Sequence, residues 1–547
     1  MEWSLKGELV VMTPIRQGPS ENIIRVERLS RVEASEESEE TDLQLEFTVW
    51  IVDAATSSHK QEKRELRFWF QPGLAYAEKH YIFQEFFKTL LANFPKDYVG
   101  FIKRVLKLIQ TGFHEVRKVE LYLRLQEESA KEAAVPSTKD YQESGSEVEA
   151  VTSAHVQEVL EHAYPNGLDE AAIASALRTT AEEVQAFLGE LAERGLVRQL
   201  NSGEWLRVEA GEAGDDLETQ IARNIPRSAT KGGSAETPTV AIITALFVEK
   251  LAVDAMMEEK QTYMRYKTDG ESNVYTIGRI GRHRVVATKL SAVGHTRAAM
   301  TAAGSITTRL LGGFQGVEHV LIVGVGGGVP HYTDAERHVR LGDVVVSSPP
   351  DPSAKYSYVY CDKVELSRQT GEVQGYAVKT WKPKDGVIAE TVGEMVEEGD
   401  GEEVVWRQEA IARQPPATDY SFDRPPPSSD QLSLPLGDGD VALVQHPGQE
   451  RLYPRLHQGA LGAGRSVLGS PSLRAEFAQR FSLRAYDGDF DSVVESVFGN
   501  RIDSWALIRG IADYGDGMRS KEWQPYAALH AAAVARSIIA RLPDPTL

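Results

Sequence analysis

From residue 239 to the end of the chain, short strand-like apolar runs alternate with helical segments. The runs include TVAIITAL, HRVVATKL, HVLIVGV and SWALIRGIAD, and the helical segments include TRAAMTAAGSITTRLL and PYAALHAAAVARSIIARL. Strands that are buried on both faces are continuously apolar, and helices between them cover the sheet. The alternation predicts an α/β layered domain over 239–547 with a central mixed sheet. An acidic, proline-rich stretch at about 384–439 is predicted to be an insertion, a helix with a long surface loop beside the site.

Two polar segments of linker composition, 126–150 and 209–238, divide the rest of the chain. Residues 1–125 combine strand-like alternation with two helical periods, which predicts an α+β domain of unknown role. Residues 151–208 give three helical periods and then two short strands joined by Asn-Ser-Gly, so this segment resembles a winged helix. We therefore expect a multidomain protein.

The charge argues against nucleic acid or an anionic membrane as a partner. The chain has 80 acidic and 60 basic residues, for a net charge of −20. Residues 151–208 alone hold nine acidic side chains against four basic ones. A winged helix that reads DNA needs Lys and Arg to neutralise phosphates. We expect this one to contact protein or to act as a spacer, with Thr179 or Thr180 capping its third helix.

Other features of the composition favour a reducing compartment. Hydrophobic residues make up 41% of the chain, enough for a sizeable core. The single cysteine, Cys361, cannot form an intrachain disulfide or a thiolate zinc cage. No run approaches the roughly 18 apolar residues of a membrane span, and the first residues lack a secretory leader. The expected location is cytoplasmic.

A glycine-rich segment follows the apolar run HVLIVGV. Its glycines are Gly324, Gly326, Gly327 and Gly328, and backbone without side chains can approach a bound ring or sugar closely. A simple turn is the alternative, and Val329 breaks the dinucleotide fingerprint. The chain also has no Walker phosphate loop, HExxH, CxxC or GxSxG motif.

Carboxylates are concentrated in two segments near the C-terminal end of the sequence. Asp487, Asp489 and Asp491 recur at alternate positions, which would put them on one face of an extended segment if the strand persists that far; a solvated acidic turn is the alternative. Asp513 closes the apolar run IRGIAD. If partly buried with a raised pKa it would suit a proton donor near pH 7, and otherwise it caps a turn.

Read together and in order, these motifs resemble the nucleoside phosphorylase and nucleosidase superfamily, which includes purine nucleoside phosphorylases and methylthioadenosine/adenosylhomocysteine nucleosidases. ALFVEKLAV resembles the family's opening strand and Glu-bearing turn, GVGGGVP its glycine loop and RLGDVVVS its next strand. IRGIADYGDG resembles the strand that ends in the catalytic aspartate. WQPYAALHAAAVARSII closely resembles the terminal helix of the branch that is fused to immune-type and signalling proteins.

The resemblance implies cleavage of a ribosyl N-glycosidic bond without a cofactor or a metal. Glu249 matches the residue that orients the attacking water, and Asp513 matches the donor toward purine N7. Asp491 falls at a glutamate that grips the ribose hydroxyls, and Phe490 takes the place of a methionine beneath the sugar. The sequence departs from the family here, because Asp489, Phe490 and Asp491 replace Glu-Met-Glu with shorter carboxylates.

The glycine loop bears on the choice between hydrolysis and phosphorolysis. Phosphorylases of this type place an arginine and a serine around the loop, whereas this chain has Ile322 and Val325. That difference favours water as the nucleophile. Val325, Gly326, Gly327 and Gly328 are the expected substrate contacts in the loop.

Some signalling-fused members of the superfamily depurinate ATP-like nucleotides, which makes a phosphorylated substrate an open alternative. The GHTR turn opens a helix, where side chains and backbone amides can bind an anion. The candidate phosphate ligands, each of which is otherwise an ordinary surface charge, are His295, Thr296, Arg297, Arg282, His331 and Arg509.

The leading hypothesis is a purine nucleoside or nucleotide N-ribohydrolase that releases free base as a regulated signalling or immune-type effector. One alternative is a phosphate-dependent purine nucleoside phosphorylase. Another is a catalytically inactive nucleotide sensor whose winged helix contacts protein or DNA. The family's members commonly oligomerise, so we also expect a homo-oligomer, and a protein partner for the N-terminal or winged-helix domain.

Overall fold

Three separate β-sheets organise the computed structural model of the chain. By its internal contacts the chain divides into two units. The first unit comprises 1–145, 330–338 and 427–450, and the second comprises 146–329, 339–426 and 451–547. The structure describes residues 4–5, 8–17, 21–29, 41–52, 59–91, 98–125, 153–163, 167–177, 179–193, 196–200, 202–207, 237–267, 271–290, 297–366, 373–399, 401, 403–415, 420–437, 440–448, 451–488, 490–515 and 521–544.

The strands of the described residues are numbered in chain order. They are β1 (Ser4–Leu5), β2 (Glu8–Gln17), β3 (Glu21–Leu29), β4 (Leu43–Val52), β5 (His59–Phe70), β6 (Val116–Leu125), β7 (Val197–Gln199), β8 (Trp205–Arg207), β9 (Val240–Thr244), β10 (Glu258–Lys267), β11 (Glu271–Ile280), β12 (His283–Lys289), β13 (His319–Gly328), β14 (Val344–Val346), β15 (Tyr358–Leu366), β16 (Val373–Trp381), β17 (Leu432–Gly437), β18 (Asp440–Val444), β19 (Leu456–Gln458), β20 (Ala460–Ala463), β21 (Leu483–Tyr486) and β22 (Ser504–Asp513).

The α-helices are numbered in the same way. They are α1 (Tyr76–Leu91), α2 (Tyr98–Thr111), α3 (Ser153–Ala163), α4 (Glu170–Leu177), α5 (Ala181–Glu193), α6 (Phe247–Ala255), α7 (Arg297–Gly313), α8 (Val387–Glu397), α9 (Val405–Ala412), α10 (Arg465–Leu468), α11 (Pro471–Arg480), α12 (Asp491–Gly499) and α13 (Gln524–Arg541). A 3₁₀ turn spans Pro427–Ser429.

The sheet of the first unit is antiparallel throughout its eight strands, in the order β1-β2-β3-β6-β5-β4-β18-β17. Alternate residues of β4 are buried, among them Leu45, Phe47 and Val49. Rings from α1 cover this face: Phe68 of β5 packs edge-on against Phe83, with the ring centroids 4.7 Å apart. The α+β character predicted for the N-terminal segment is present in these elements.

A hairpin from the C-terminal half of the chain completes this sheet. Strand β18 pairs with β4, with Val441 opposite Trp50 and Val444 opposite Phe47. The sequence predicts an insertion at about 384–439 that consists of a helix and a long surface loop, but residues Leu432–Gly437 of this stretch form β17 of the hairpin. An edge strand leaves backbone N–H and C=O groups unpaired, and the hairpin satisfies those of β4. The rest of the insertion contributes α8 and α9 to the second unit.

The winged-helix segment contains α3, α4 and α5, followed by the two-stranded sheet of β7 and β8. Thr180 caps α5, since its Oγ1 accepts a hydrogen bond of 3.3 Å from the Glu183 N–H. The Thr179 hydroxyl also donates to the Glu183 carboxylate. Apolar residues from all three helices form the core, including Val156, Ile173 and Leu188. The predicted three helices and two strands are therefore confirmed.

The second unit contains a twelve-stranded mixed sheet, as the apolar runs predict. At its centre β9, β13 and β22 run parallel, with β13 in the middle. Helices α6 and α13 pack against one face, and α7 and α12 contribute to the core on the other. The small residues of α13 allow close approach: a Cβ added to Gly510 would lie 1.9 Å from the Ala527 carbonyl oxygen. The three parallel strands end at the same edge, and this edge holds Glu249, the glycines of β13 and Asp513.

Candidate active site

Glu249 lies at the carboxyl end of β9, in the first turn of α6. Its carboxylate accepts backbone N–H bonds from Ala245 (2.8 Å), Leu246 (2.9 Å) and Val325 (2.8 Å). These amides hold the side chain in one orientation against β13. Burial raises the pKa of Glu249, while the positive charge of Arg509 and the three amides oppose the shift. The buried carboxylate is therefore poised to take a proton.

The first glycine of the loop makes room for Glu249. A Cβ added to Gly324 would lie 2.3 Å from Glu249 Oε1. Protein atoms also fill the space at two further glycines: a Cβ at Gly326 would lie 2.6 Å from the Tyr486 carbonyl oxygen, and one at Gly327 would lie 1.6 Å from that of Gly515. Close packing of the backbone thus explains these glycines, and their contact with a ligand stays a prediction.

Arg509 and Asp487 form a buried ion pair beside this loop. Arg509 is 1% exposed and Asp487 is fully buried. The guanidinium donates to Asp487 Oδ2 (3.2 Å) and to the Ile322 carbonyl (3.1 Å), and it lies 4.6 Å from the centroid of the Phe490 ring. Burial raises the pKa of Asp487 to about 7, against the opposing effect of Arg509. Arg509 is therefore part of the protein interior rather than a surface charge.

Asp491 and Phe490 lie where β21 gives way to α12. The strand ends at Tyr486 and the helix begins at Asp491, so the strand does not persist far enough to put the alternate carboxylates on one extended face. The change from strand to helix ends the two-residue period. The Phe490 N–H donates to the Tyr358 hydroxyl at 3.2 Å. Asp489 lies outside the described residues.

Two buried carboxylate oxygens at this turn lack a hydrogen-bond partner in the described part of the chain. They are Asp487 Oδ1 and Asp491 Oδ1, and Nε of Arg509 shares the property. Burial also raises the pKa of Asp491. Such groups are costly unless something pairs with them. The hydroxyl groups of a bound sugar have the chemistry to do so.

Asp513 ends β22, as the sequence predicts. Its Oδ1 accepts a 2.6 Å hydrogen bond from the Gly515 N–H, so it also stabilises the turn that follows. Since β9 and β22 flank β13, their ends are about 10 Å apart. Glu249 and Asp513 therefore lie at the same edge of the sheet, with the glycine loop between them.

Two of the proposed phosphate ligands, Arg282 and His331, are not part of this edge of the sheet. Arg282 begins the turn before β12, at the end of the sheet opposite Glu249, and forms an exposed ion pair with Asp544. Its assignment to the site is wrong, because β12 runs parallel to β9 and separates the two ends. His331 belongs to the other unit, where its Nδ1 accepts a hydrogen bond from the Asp334 N–H.

The remaining phosphate candidates belong to the GHTR turn. His295 and Thr296 lie outside the described residues. Arg297 is the first residue of α7. The anion pocket at this turn stays a prediction.

Sequence reasoning missed two site residues. Asp487 stood out only as one of three alternating aspartates, and Tyr358 carried no signal. The position of Asp487, directly after a short apolar strand, is where functional side chains gather in such sheets. Burial raises the pKa of Tyr358 well above its usual range, so its hydroxyl stays neutral.

The described residues give no sign of a metal centre or a membrane span. No group of three or more His, Cys, Asp or Glu side chains among them is placed to hold a metal ion. In the same parts of the chain, no helix is both long and apolar enough to cross a bilayer.

Comparisons with known proteins cover the winged-helix segment and, separately, a little over half of the chain. Residues 141–209 match the family model of a winged helix-turn-helix domain, which confirms the winged-helix prediction. The chain is 28% identical over 322 residues to a nucleotide-binding leucine-rich repeat (NLR)-like protein of the fungus Hyaloscypha variabilis. The match covers 56% of this chain but only 29% of that relative.

Solved structures similar to this chain include nucleosidases. The 5′-methylthioadenosine/S-adenosylhomocysteine nucleosidase of Neisseria meningitidis matches with a TM-score of 0.34 and 15% identity, over 55% of this chain and 99% of the other. The futalosine hydrolase of Helicobacter pylori matches with a TM-score of 0.33 and 15% identity, over 56% of this chain and 98% of the other.

Proposed function

We propose that this protein hydrolyses the N-glycosidic bond of a purine nucleoside or nucleotide. The observation that carries the proposal is the buried Glu249 carboxylate, held by three backbone amides at the edge where Asp513 also lies. A carboxylate so fixed can orient one water and accept its proton. Asp513 then serves as the acid on the leaving base.

The balanced reaction uses one water. Its oxygen forms a bond to the anomeric carbon as the C–N bond breaks, and the bonding electron pair stays with the base. Glu249 takes a proton from the water while Asp513 gives one to the base nitrogen, so the departing purine leaves as a neutral molecule. Asp491, whose Oδ1 has no partner among the described residues, would accept a hydrogen bond from a sugar hydroxyl.

The glycine loop favours water rather than phosphate as the nucleophile. The Val325 N–H, which would otherwise be a donor to a bound anion, already donates to Glu249. Ile322 and Val325 supply no side-chain donor either. A phosphorylase is therefore the weaker candidate.

The proposal includes a regulated role. The relative that matches this chain is named as NLR-like and nucleotide-binding, and the winged helix is a separate module with an acidic composition. We place this protein among intracellular effectors that act on a purine nucleotide or nucleoside and assemble into oligomers.

The test is chromatography of free base released by the full-length protein. The substrates are adenosine, AMP, ATP, methylthioadenosine, inosine and guanosine, each with and without inorganic phosphate. We expect release without phosphate. Release only with phosphate would identify a phosphorylase, and no release from any substrate would favour the inactive sensor.

Two variants test the residue roles. Asp513→Asn should reduce base release by a factor on the order of 10² to 10⁴ while the thermal melt is retained. Undiminished turnover would remove Asp513 from the mechanism.

Arg297→Ala should weaken the binding of nucleotides far more than the binding of nucleosides. An equal loss of activity with both kinds of substrate would contradict the phosphate pocket.

A further inference from the structure

We infer that Asp487 is a positioning residue, which holds the Arg509 guanidinium beside Glu249 and controls how much of its positive charge Glu249 experiences. The inference rests on the proposed function, since it assigns Glu249 the role of base. It concerns a side chain that touches neither water nor the departing base and acts through Arg509.

The sheet register brings Arg509 and Glu249 together. Gly324 is the partner of Arg509 in the parallel ladder of β13 and β22. The Glu249 carboxylate occupies the space where a Gly324 Cβ would lie. Paired residues of a parallel ladder present their side chains to the same face, and neighbouring strands are about 4.8 Å apart. Glu249 therefore lies next to Arg509 on that face.

Asp487 fixes the guanidinium from the other side. Arg509 donates Nη2–H to Asp487 Oδ2 and Nη1–H to the Ile322 carbonyl, and it stacks on Phe490. Three contacts in three directions leave the guanidinium one orientation. The ionised form of Asp487 also neutralises part of the charge that would otherwise stabilise ionised Glu249.

The groups that face Asp487 come from four elements. Arg509 of β22 attracts its charge, and Glu249 of α6 and Asp491 of α12 repel it. Tyr358 of β15 is buried and neutral. Asp487 and Glu249 thus share one arginine, whereas the cation that acts on Asp491 is Lys379, and groups coupled as closely as Asp487 and Glu249 titrate as a unit. A proton gained by Asp487 near neutral pH strengthens the hold of Arg509 on ionised Glu249.

The Asp487→Asn variant separates charge from shape. The amide oxygen still accepts from Arg509, but the negative charge is gone. We expect the pKa of Glu249 to fall by about one unit in this variant, because a like charge has been removed. The acidic limb of the kcat/KM profile for base release should move to lower pH by the same amount.

The pKa of Glu249 can be measured without turnover. Carbon-13 NMR of full-length protein labelled at the glutamate carboxyl carbon reports it directly, with the resonance assigned by its loss in Glu249→Gln. An unchanged Glu249 pKa in folded Asp487→Asn would overturn the inference. If the pKa shifts but no substrate releases base, the proposed function fails and the inference about the pair stands.

A double-mutant cycle gives a second, independent test. If Asp487 acts only through Arg509, then Asp487→Asn with Arg509→Gln should lower kcat/KM no further than Arg509→Gln alone. Losses that multiply would overturn the inference. Both side chains are neutral in the double variant, so no buried charge is left unpaired. Asp503→Asn, at an exposed residue just before β22, is the matched control and should leave the profile unchanged.

Discussion

Two groups of buried carboxylates in the second unit differ in how completely they are paired. Asp343, before β14, accepts backbone N–H bonds from Arg340 and Arg455 and side-chain bonds from Arg451 (3.1 Å) and His457 (2.9 Å). Asp487 has the single cation Arg509, and Asp487 and Asp491 each keep an oxygen without a partner among the described residues. Both groups are buried from solvent, but they differ in how many hydrogen-bond partners their carboxylates have.

Their pKa values shift in opposite directions. Burial alone would raise the pKa of Asp343, but Arg451 and the N–H of His457 outweigh it, so the pKa falls below its ordinary value. Burial lowers the pKa of His457, so the ring is neutral and donates through Nε2. At Asp487 burial prevails and the pKa is raised to about 7. A fully paired carboxylate stabilises the fold, whereas an incompletely paired one is available to a ligand.

The largest expected effect is on catalysis at the incompletely paired group. Asp491→Ala should lower kcat/KM for base release by a factor on the order of 10³, because contacts to the sugar strengthen in the transition state. Its free energy of unfolding should change by only about 1 kcal/mol, the value of a negative charge in the first turn of α12. Chromatography and urea unfolding measure the two quantities. A large loss of stability with little loss of activity in Asp491→Ala would show that Asp491 stabilises the fold as Asp343 does.

The complementary change is Asp343→Ala. It removes the acceptor of Arg451, whose side chain is 20% exposed, and also that of buried His457 and of two backbone N–H groups, which should cost roughly 3 to 5 kcal/mol of unfolding free energy. Urea unfolding of Asp343→Ala and Asp491→Ala measures the difference between their unfolding free energies directly. A cost near that of Asp491→Ala would show that full pairing does not distinguish the two groups.

Stability should also depend on pH with opposite signs at the two groups. The folded pKa of Asp487 is about 7. Because it lies above the unfolded value of about 4, the folded state binds the proton more tightly and stability falls as pH rises between these values, by roughly 1 kcal/mol per pH unit. The folded pKa of Asp343 is below its unfolded value, so its contribution is present above about pH 4 and is lost as pH falls.

Thermal or urea unfolding across pH 3 to 8 checks these signs. Asp487→Asn should flatten the decline between about pH 4 and 7, and Asp343→Asn should flatten the loss below about pH 4. The same pH dependence in wild type and both variants would exclude either aspartate as its source.

The smallest expected effect concerns the backbone around Glu249. Gly324→Ala puts a Cβ against Glu249 Oε1 and should cost about 1 to 3 kcal/mol of stability and displace the carboxylate, lowering base release. Gly312→Ala in α7 is the control, since a Cβ there meets nothing within 4 Å. It should be neutral or stabilise by up to about 1 kcal/mol. Equal effects at the two glycines would show that Gly324 is not needed to seat Glu249.

Much of the site could be anticipated because it follows strand ends. The glycines and Asp513 lie at the carboxyl ends of the apolar strands β13 and β22, Glu249 lies in the helix that follows β9, and parallel strands end at one edge of a sheet. Arg282 also adjoins an apolar run, but at its beginning, so the strand carries it to the far edge. The charge of a residue alone could not indicate at which end of the sheet it lies.

The sequence by itself determined the elements, the winged helix, the mixed sheet and the position of Glu249 and Asp513 at strand ends. These depend on apolar periodicity and on capping, which act over a few residues. Only the tertiary structure decided that β18 pairs with β4 and that Arg509 holds Asp487 beside Glu249. Such pairings join residues distant in the chain, and they depend on which edge is open and which charges are buried together.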